Sequence, residues 1–400
     1  MNVTIAPSFV PNPPGRGTLG LLWECLFAYF LCLWTAIHVD ACGDWEDKFG
    51  WCLLTFFLPE VTLFVATTAY FTAREVREGA NEGIRDARQP APTGLEGSEI
   101  SVDLALLNPS SMSPQETQHA SSCPVSQKIV GPGARWGLTH GYLVEMGALQ
   151  FKLHQTGQKF LDPDGIRRLA KCNMLPTVRF LNRKIKALQK SDKLAKTLVC
   201  IQVSWLVIQA IARRIEMLPV TLLELNTIAQ VWITLVLYGV WWYKPQGIAE
   251  AIEIDFSQCA QCQKQLDANG ITPFVLSDRL SILPKELGSP LSLGFIQIVI
   301  AVYITIDALG WTAYFPTDAE RILWHVSIGM LAVAVTVFLL LVLILRVYKI
   351  DTPHVALFVV LFFEMIGRTL LTIEAFISIR SLPIGAYSTP SLSDFLPHIG

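Results

Sequence analysis

Long runs of apolar residues limit the possible fold more than any other feature of this sequence. A bilayer core about 30 Å thick is crossed by roughly 20 apolar residues in a helix, and runs of that length recur along the 400 residues. Only 16% of the side chains are charged, whereas soluble domains carry about 25%. We therefore predict an all-α fold, a polytopic integral membrane bundle of about seven transmembrane helices.

The predicted spans lie between short turns and two long loops. The spans are Thr18–Val39, Trp51–Ala73, Leu194–Ala212, Met217–Tyr243, Leu291–Trp311, Ile322–Leu345 and Val355–Ile377. They divide the chain into an N-terminal part (1–73), a long loop (74–193), spans three and four (194–243), a second loop (244–290), spans five to seven (291–377) and a tail (378–400).

Basic residues at the span ends predict the orientation. Arg74, Arg77 and Arg85 follow the second span, and more basic residues precede the third, whereas the loop after the first span is acidic. Because basic residues close to the ends of membrane spans favour the cytosolic side, we place the long loop in the cytosol. The N-terminus, one pair of spans earlier, is then cytosolic too. An odd number of spans then puts the C-terminus in the lumen, most simply that of the endoplasmic reticulum. The sequon Asn2-Val3-Thr4 would be unused in this orientation.

The two long loops carry weaker signals. Residues 79–130 are rich in Gly, Ser, Pro, Gln and Asn, which is typical of a disordered tether. Residues 136–153 are apolar but short, so we expect an interfacial or re-entrant segment; if they crossed the membrane, the parity of the spans would change. Cys259 and Cys262 form a lone CxxC without a second ligand pair, and we predict no metal there.

Ionisable residues inside the spans are the candidate site. Each is costly in hydrocarbon unless it has a partner, a wet cavity or a function. Pro59 is expected to kink the second span beside the most central of the acids. The residues are Glu60, Glu224, Asp307, Glu364 and Arg368. Glu364 and Arg368 share a helical face and could simply form an internal ion pair, and Asp307 could reach the lipid headgroups.

Aromatic residues in the spans form a second group. Their ring faces could stabilise a cation, although core packing is the more frequent explanation for such residues. The candidates are Phe56, Phe57, Trp205, Trp232 and Tyr238.

Absent motifs narrow the chemistry. The sequence has no nucleotide-binding loop, no HExxH and no Asp-rich magnesium–diphosphate motif. An enzyme of this kind would begin by protonating an olefin or an epoxide and would need no cofactor. A net charge of −2 without a basic face argues against nucleic acid as a partner.

Five stretches resemble a large fungal family of multi-spanning membrane proteins. They are SDKLAK (191–196), WLVIQAIAR (205–213), LPVTLLELNT (218–227), WWYKP (241–245) and WGLTHGY (136–142). This family includes the membrane-bound meroterpenoid cyclases of the ascofuranone and macrophorin type. The resemblance implies ring closure on the farnesyl chain of a prenylated polyketide, by acid activation of an epoxide or a terminal olefin, and co-localisation with other pathway enzymes. It supplies no catalytic residues, so the roles below rest on burial and chemistry.

We therefore expect a terpene cyclase acting on a lipophilic farnesylated polyketide within the bilayer. Glu60 would donate the proton, with Glu364 or Glu224 as second carboxylate, Arg368 positioning one of them and Asp307 in reserve. Aromatic rings, led by those of Trp205 and Trp232, would shield the cation. A multi-span transporter, a receptor and a scaffold with purely structural ion pairs remain the alternatives.

Overall fold

The computed structural model of the chain describes residues 4–12, 16–38, 45–87, 135–154, 157–159, 163–171, 174–188, 192–248, 250–256, 290–348 and 354–389. Asn2, the pair Cys259 and Cys262, and residues 88–130 of the predicted tether lie outside these ranges, whereas residues 79–86 belong to a helix.

The described residues are mostly helical, and the sheet they contain is small. The helices are α1 (Thr18–Ala36), α2 (Trp45–Phe57), α3 (Pro59–Asp86), α4 (Leu138–Glu145), α5 (Pro163–Lys171), α6 (Val178–Leu188), α7 (Asp192–Ile215), α8 (Leu222–Val240), α9 (Pro290–Ala308), α10 (Asp318–Tyr348) and α11 (His354–Ile377). The strands are β1 (Leu149–His154), β2 (Gly157–Lys159) and β3 (Ile252–Asp255), so the all-α prediction is correct for the bundle but not for the whole chain.

Several helices are long and apolar enough to cross a membrane. In the described part of the chain these are α1, α8, α9 and α10, and a bent pair formed by α2 and α3 makes a fifth if it is counted as one span. The predicted third and seventh spans are helical too, but α7 ends with Arg213 and Arg214, and α11 carries three charged side chains, Glu364, Arg368 and Glu374. The predicted count of seven is therefore not confirmed.

The predicted second span is two helices rather than one. The chain leaves helical geometry at Leu58 (φ −136°, ψ 62°), and Pro59 begins α3, where its missing N–H costs no hydrogen bond. The two helix axes differ by 117°. Pro59 thus breaks the helix as predicted, but the break reverses the chain direction and Trp51–Ala73 is not a continuous span.

We call the two ends of the bundle the lower end, where α1 and α8 begin, and the upper end, where both finish. These two helices run parallel, because contacts between them advance together along both. The pairs are Arg16 with Glu224, Tyr29 with Asn226, Thr35 with Tyr238, and Ile37 with Gln246.

The bent pair enters and leaves the bundle at the upper end. Near the start of α2, Lys48 lies 4.7 Å from the ring of Trp34, close to the top of α1. Near the end of α2, the ring of Phe56 is 5.5 Å from that of Tyr29, about halfway down. Helix α3 then returns upward, so that Ala73 contacts α4, which is itself hydrogen-bonded to the end of α8. The pair is a re-entrant element.

Both described ends of the chain meet at the lower end. Ala6 N–H donates to Leu382 O over 2.9 Å, and Ile384 N–H donates to Thr4 O over 3.0 Å. The prediction that the N- and C-termini lie on opposite faces is therefore wrong, because it counted the re-entrant pair as a crossing.

A second hydrophobic core forms a small domain at the upper end. Its three-stranded sheet has the order β2-β1-β3, with β1 antiparallel to β2 and parallel to β3. Residues 136–153, predicted as an interfacial segment, instead supply α4 and β1, and Leu143, Leu149 and Phe151 are buried there. Gly147 (φ 73°) ends α4 in the left-handed conformation that glycine adopts readily.

Candidate functional site

An ion pair between Glu60 and Arg368 lies at the break between α2 and α3. Glu60 occupies the first turn of α3, and Arg368 of α11 donates to its Oε1 through Nη2. Arg368 is 2% exposed and Glu60 9% exposed. Both side chains are buried away from water, and their mutual attraction compensates only part of the free-energy cost of that burial.

Glu364 brings a second carboxyl group to this pair. It precedes Arg368 by one helical turn and is 2% exposed. Glu364 Oε2 has no hydrogen-bond partner in the described part of the chain, and neither do Glu60 Oε2 or two of the Arg368 nitrogens, Nε and Nη1. The predicted proximity of Glu364 and Arg368 is confirmed, but the direct ion pair of Arg368 is with Glu60.

Helix α9 adds Tyr303 and Asp307 from the other side. The guanidinium carbon of Arg368 lies 4.2 Å from the centroid of the Tyr303 ring, a cation–π contact. Asp307 is 0% exposed, and neither of its carboxyl oxygens has a hydrogen-bond partner among the described residues. The amide of Asn226 faces it without closing a standard hydrogen bond, and Tyr29 donates to Asn226 Oδ1. Asp307 therefore points into the protein and not to the headgroups.

We call Glu60, Asp307, Glu364, Arg368 and Tyr303 the acid cluster. It holds three carboxyl groups around one guanidinium, all largely or fully withdrawn from water. One carboxylate balances the charge of Arg368, and a second or third buried negative charge would have no counterion. The neutral form is therefore favoured for those carboxyl groups of the cluster that have no counterion.

Glu224 belongs to a different place, the lower polar cluster of Arg16, Glu24, Thr221 and Glu224. Thr221 caps α8 by accepting from Glu224 N–H over 3.2 Å, while Glu224 Oε2 accepts from Thr221 N–H over 2.9 Å. Arg16 donates to both Glu224 and Glu24. Burial alone would lower the pKa of the Arg16 guanidinium, but Glu224 and Glu24 outweigh it and raise that pKa. The structure therefore does not bring Glu224 to the acid cluster, and Glu224 instead fastens the N-terminal segment to α8.

Two of the predicted aromatic residues adjoin the acid cluster. Phe56 and Phe57 end α2 just before the break, with ring centroids 4.9 Å apart in an edge-to-face arrangement. Trp232 donates its indole N–H to Val299 O over 3.0 Å, which fastens α8 to α9.

The other two predicted aromatic residues lie elsewhere. Tyr238 is bonded to Thr35 near the upper end, and Trp205 is half-buried on α7, which packs against α1 and α8. The structure does not bring these two residues to the acids.

Three polar residues of the site were not predicted. Tyr303 lies four residues before Asp307, so the two share a helical face, and this spacing could have revealed it. Asn226 lies buried in the largely apolar α8, a position where a polar side chain needs a partner. Tyr29 has no comparable sequence signal, because its role depends on the parallel packing of α1 and α8.

A cavity of about 690 Å³ opens at the lower end, apart from the acid cluster. Its wall is mainly apolar and comes from α7, α8, the turn after α9 and the C-terminal segment, with Val207, Leu225, Ile306 and Leu382 among the lining residues. In the described part of the chain, no group of three or more His, Cys, Asp or Glu residues is arranged to hold a metal ion.

The model of one protein family matches residues 3–262 and 347–399, which make up most of the chain. That family is described as a family of unknown function, DUF8562. The chain belongs to this family. No curated protein and no solved structure matches it. Within the DUF8562 match lie Glu60, Glu364 and Arg368, whereas Tyr303 and Asp307 fall in the stretch between the two matched segments.

Proposed function

We propose that this DUF8562 protein is a membrane-bound terpene cyclase that closes rings on the farnesyl chain of a prenylated polyketide. The observation that carries the proposal is the acid cluster, where three carboxyl groups surround one guanidinium inside an apolar bundle. A protonated carboxyl group withdrawn from water is suited to protonating an olefin or an epoxide, and the absence of water protects the resulting cation.

The geometry favours Glu364 over Glu60 as the proton donor. Glu60 accepts a hydrogen bond from Arg368 and carries the balancing negative charge, so its role is to hold the guanidinium in place. Glu364, one helical turn before Arg368, has a buried oxygen, Oε2, without a hydrogen-bond partner among the described residues. Asp307, with two unpartnered oxygens, is the second carboxyl group and the reserve donor.

The proposed step conserves atoms and electrons. The Glu364 carboxyl proton passes either to a carbon of the terminal olefin, whose π bond breaks, or to the epoxide oxygen, whose bond to the more substituted carbon breaks. The π electrons of the neighbouring double bond then form a new C–C bond to the developing cation. The last cation then loses a proton, so that no proton is consumed overall. The product is an isomer of the substrate. Phe56, Phe57 and Tyr303 present ring faces near the cluster that stabilise the intermediate cations.

The proposed setting is the endoplasmic-reticulum membrane, crossed six times by α1 and α7–α11, with α2 and α3 re-entering from the upper side. An even number of crossings agrees with the meeting of both chain ends at the lower end. The upper end carries most of the basic residues, which favours the cytosol for that end. They include Arg74, Arg77, Arg85, Arg179, Arg183, Lys184, Lys186 and Lys244.

The test is an isomerisation assay in microsomes from a heterologous host expressing the full chain. Farnesylated polyketide, with and without its terminal epoxide, is incubated and analysed by mass spectrometry for a product of unchanged mass and new retention time. E364Q should lose roughly 100-fold or more of the rate. E24Q, a carboxylate of the lower polar cluster, is the matched control and should keep it. No isomer from well-expressed wild-type protein, or equal rates for E364Q and wild type, would refute the proposal.

A proton-coupled transporter is the second candidate, and the broken helix favours it. Transporters commonly place a buried charge where a membrane helix is interrupted, as Glu60 is placed here. Proteoliposomes that acidify in response to a lipophilic organic acid, without forming an isomer, would support this alternative.

A further inference from the structure

Helix α6 of the small domain carries positive charge that the proposed chemistry does not use. Its sequence, VRFLNRKIKAL, contains basic side chains and no acidic one. Arg179, Arg183 and Lys186 follow one another at intervals of four and three residues, so they lie along one face of the helix over about 10 Å. All three are exposed. We call these three residues the basic stripe.

The opposite face of α6 is held in the core of the small domain. Leu181 and Ile185 are buried in its hydrophobic cluster. His140 of α4 donates from Nε2 to the side-chain oxygen of Asn182 over 3.1 Å, since its Nδ1 accepts from the Gly137 N–H. These contacts fix the rotation of α6 about its axis, so the basic stripe is held on the surface of the protein.

The basic stripe has no counterion in the described part of the chain, unlike the basic residues of the preceding helix. In α5, Arg167 pairs with Glu82 over 2.8 Å and Lys171 pairs with Asp86 over 3.1 Å. No such ion pair is formed by the three cations of the stripe among the described residues. Like charges four residues apart on a helix repel one another and destabilise it. An anionic partner would remove this repulsion.

The helix that follows α6 indicates where such a partner lies. Three residues, 189–191, separate α6 from α7, so the end of α6 is within roughly 14 Å of the start of α7. Helix α7 then exposes Ile201, Ile208, Ile211 and Ile215 along one face. Soluble proteins rarely expose a contiguous apolar face of this kind, so this face suits contact with lipid chains. The first turn of α7 then lies at the bilayer surface, close to α6.

We propose that the basic stripe binds the anionic headgroups of phospholipids at the surface of the surrounding bilayer. The proposal rests on the crossing of the membrane by α7, but it requires neither the cyclase activity nor a particular orientation of the bundle. The guanidinium groups of Arg179 and Arg183 can each donate two hydrogen bonds to a phosphate, and Lys186 adds a third positive charge. Each basic residue near an anionic bilayer surface strengthens binding by about fivefold, so the three together contribute roughly 100-fold.

The experiment measures lipid bound to the full chain. Protein purified in a neutral detergent is titrated with phosphatidylserine or with phosphatidylcholine, and native mass spectrometry gives the number and affinity of the bound lipid molecules. Wild type should bind phosphatidylserine in preference to phosphatidylcholine. R179Q/R183Q/K186Q should lose at least one phosphatidylserine site, whose affinity falls roughly 100-fold, and should bind phosphatidylcholine as wild type does.

Two control variants separate the basic stripe from net charge. R167Q/K171Q removes two cations of α5 that already have carboxylate partners, so its binding of phosphatidylserine should equal that of wild type. R179K/R183K keeps the charge of the stripe and should keep most of the binding. The triple variant should also unfold at the wild-type temperature in detergent, because the exposed stripe has no partner to lose among the described residues. Its loss of lipid then does not reflect misfolding.

Two results would overturn the proposal. The first is equal binding of phosphatidylserine by wild type and the triple variant, which would leave the stripe to an acidic segment of another protein. The second is an equal loss of binding in R167Q/K171Q, which would show an effect of net charge alone. The isomerisation assay on the triple variant keeps these outcomes apart from the proposed activity, because the stripe lies outside the acid cluster and the rate should be that of wild type.

Discussion

Replacing Glu60 by glutamine removes the carboxylate that accepts from Arg368. The guanidinium stays buried, and its nearest remaining source of negative charge is Glu364, one helical turn earlier on α11. Glu364 is expected to release its proton and take over as counterion. E60Q should therefore keep much of its stability and lose its proton donor.

The magnitudes follow from the geometry of the cluster. Two charges about 4 Å apart interact by about 4 kcal/mol at the effective dielectric constant of about 20 that suits protein sites. Removing one partner of a buried pair without replacement costs about 3–5 kcal/mol. Because Glu364 substitutes for Glu60, we expect E60Q to lose about 1–2 kcal/mol of unfolding free energy. E364Q alone should lose less than about 1 kcal/mol, since it replaces a neutral group by an amide of similar shape.

The double variant E60Q/E364Q leaves Arg368 without either carboxylate on its own side of the site. Its unfolding free energy should fall by about 3–5 kcal/mol, which exceeds the sum of the losses of the two single variants by roughly 2 kcal/mol. Unfolding free energies are measured by SDS titration in mixed micelles, and isomer formation by mass spectrometry on the same preparations. All three variants should be inactive. Additive losses, or an active E60Q, would show that the two carboxyl groups do not share one cation.

Two further predictions concern the upper domain. A Cβ at Gly141 would lie 2.0 Å from Ala73 O, so G141A should separate α4 from α3 and lower the unfolding free energy by about 3 kcal/mol or more. The control is G239A, whose Cβ would meet nothing within 4 Å and which should fold normally. Equal thermal stability of the two variants would contradict this prediction. Burial lowers the pKa of His140, whose Nδ1 accepts from Gly137 N–H over 2.9 Å. As the pH falls, the unfolded chain then binds a proton that the folded domain does not bind. The stability of the domain is therefore full above the ordinary histidine pKa of about 6.5 and decreases as the pH falls below that value. A protease-resistance profile that stays flat from pH 7.5 to 5 would refute this prediction.

Local rules predicted the local features of the site. Pro59 marks the helix break because its ring cannot continue the hydrogen-bond ladder, and the spacing of Glu364 and Arg368 places them on one face. The partner that Arg368 bonds, Glu60, lies 308 residues away. Spacing within one helix carries no information on such a contact, and for the same reason Glu224 was assigned to the wrong cluster.

The predicted number of crossings differs from the structure for another reason. Hydropathy measures the length of an apolar run but not the direction in which the chain leaves it. Residues 51–73 are long enough to cross a bilayer, yet the break at Leu58 turns the chain back. One miscounted crossing changes whether the two ends of the chain are expected on the same side or on opposite sides. The upper domain was not predicted because the apolar residues of 136–153 pack in a second hydrophobic core beside short strands. Apolarity alone does not distinguish such a core segment from an interfacial segment.

The pairing of residues 4–6 with residues 382–384 also sets a schedule for biogenesis. Residues 4–6 can dock only after the ribosome has made residues 382–384, almost 380 positions later in the sequence. At about 5–20 residues per second, that interval is roughly 20–75 s. During it α1 waits in the membrane with its N-terminal extension undocked. Until residues 382–384 are made, this segment is accessible to other proteins, and its docking is a late step of assembly.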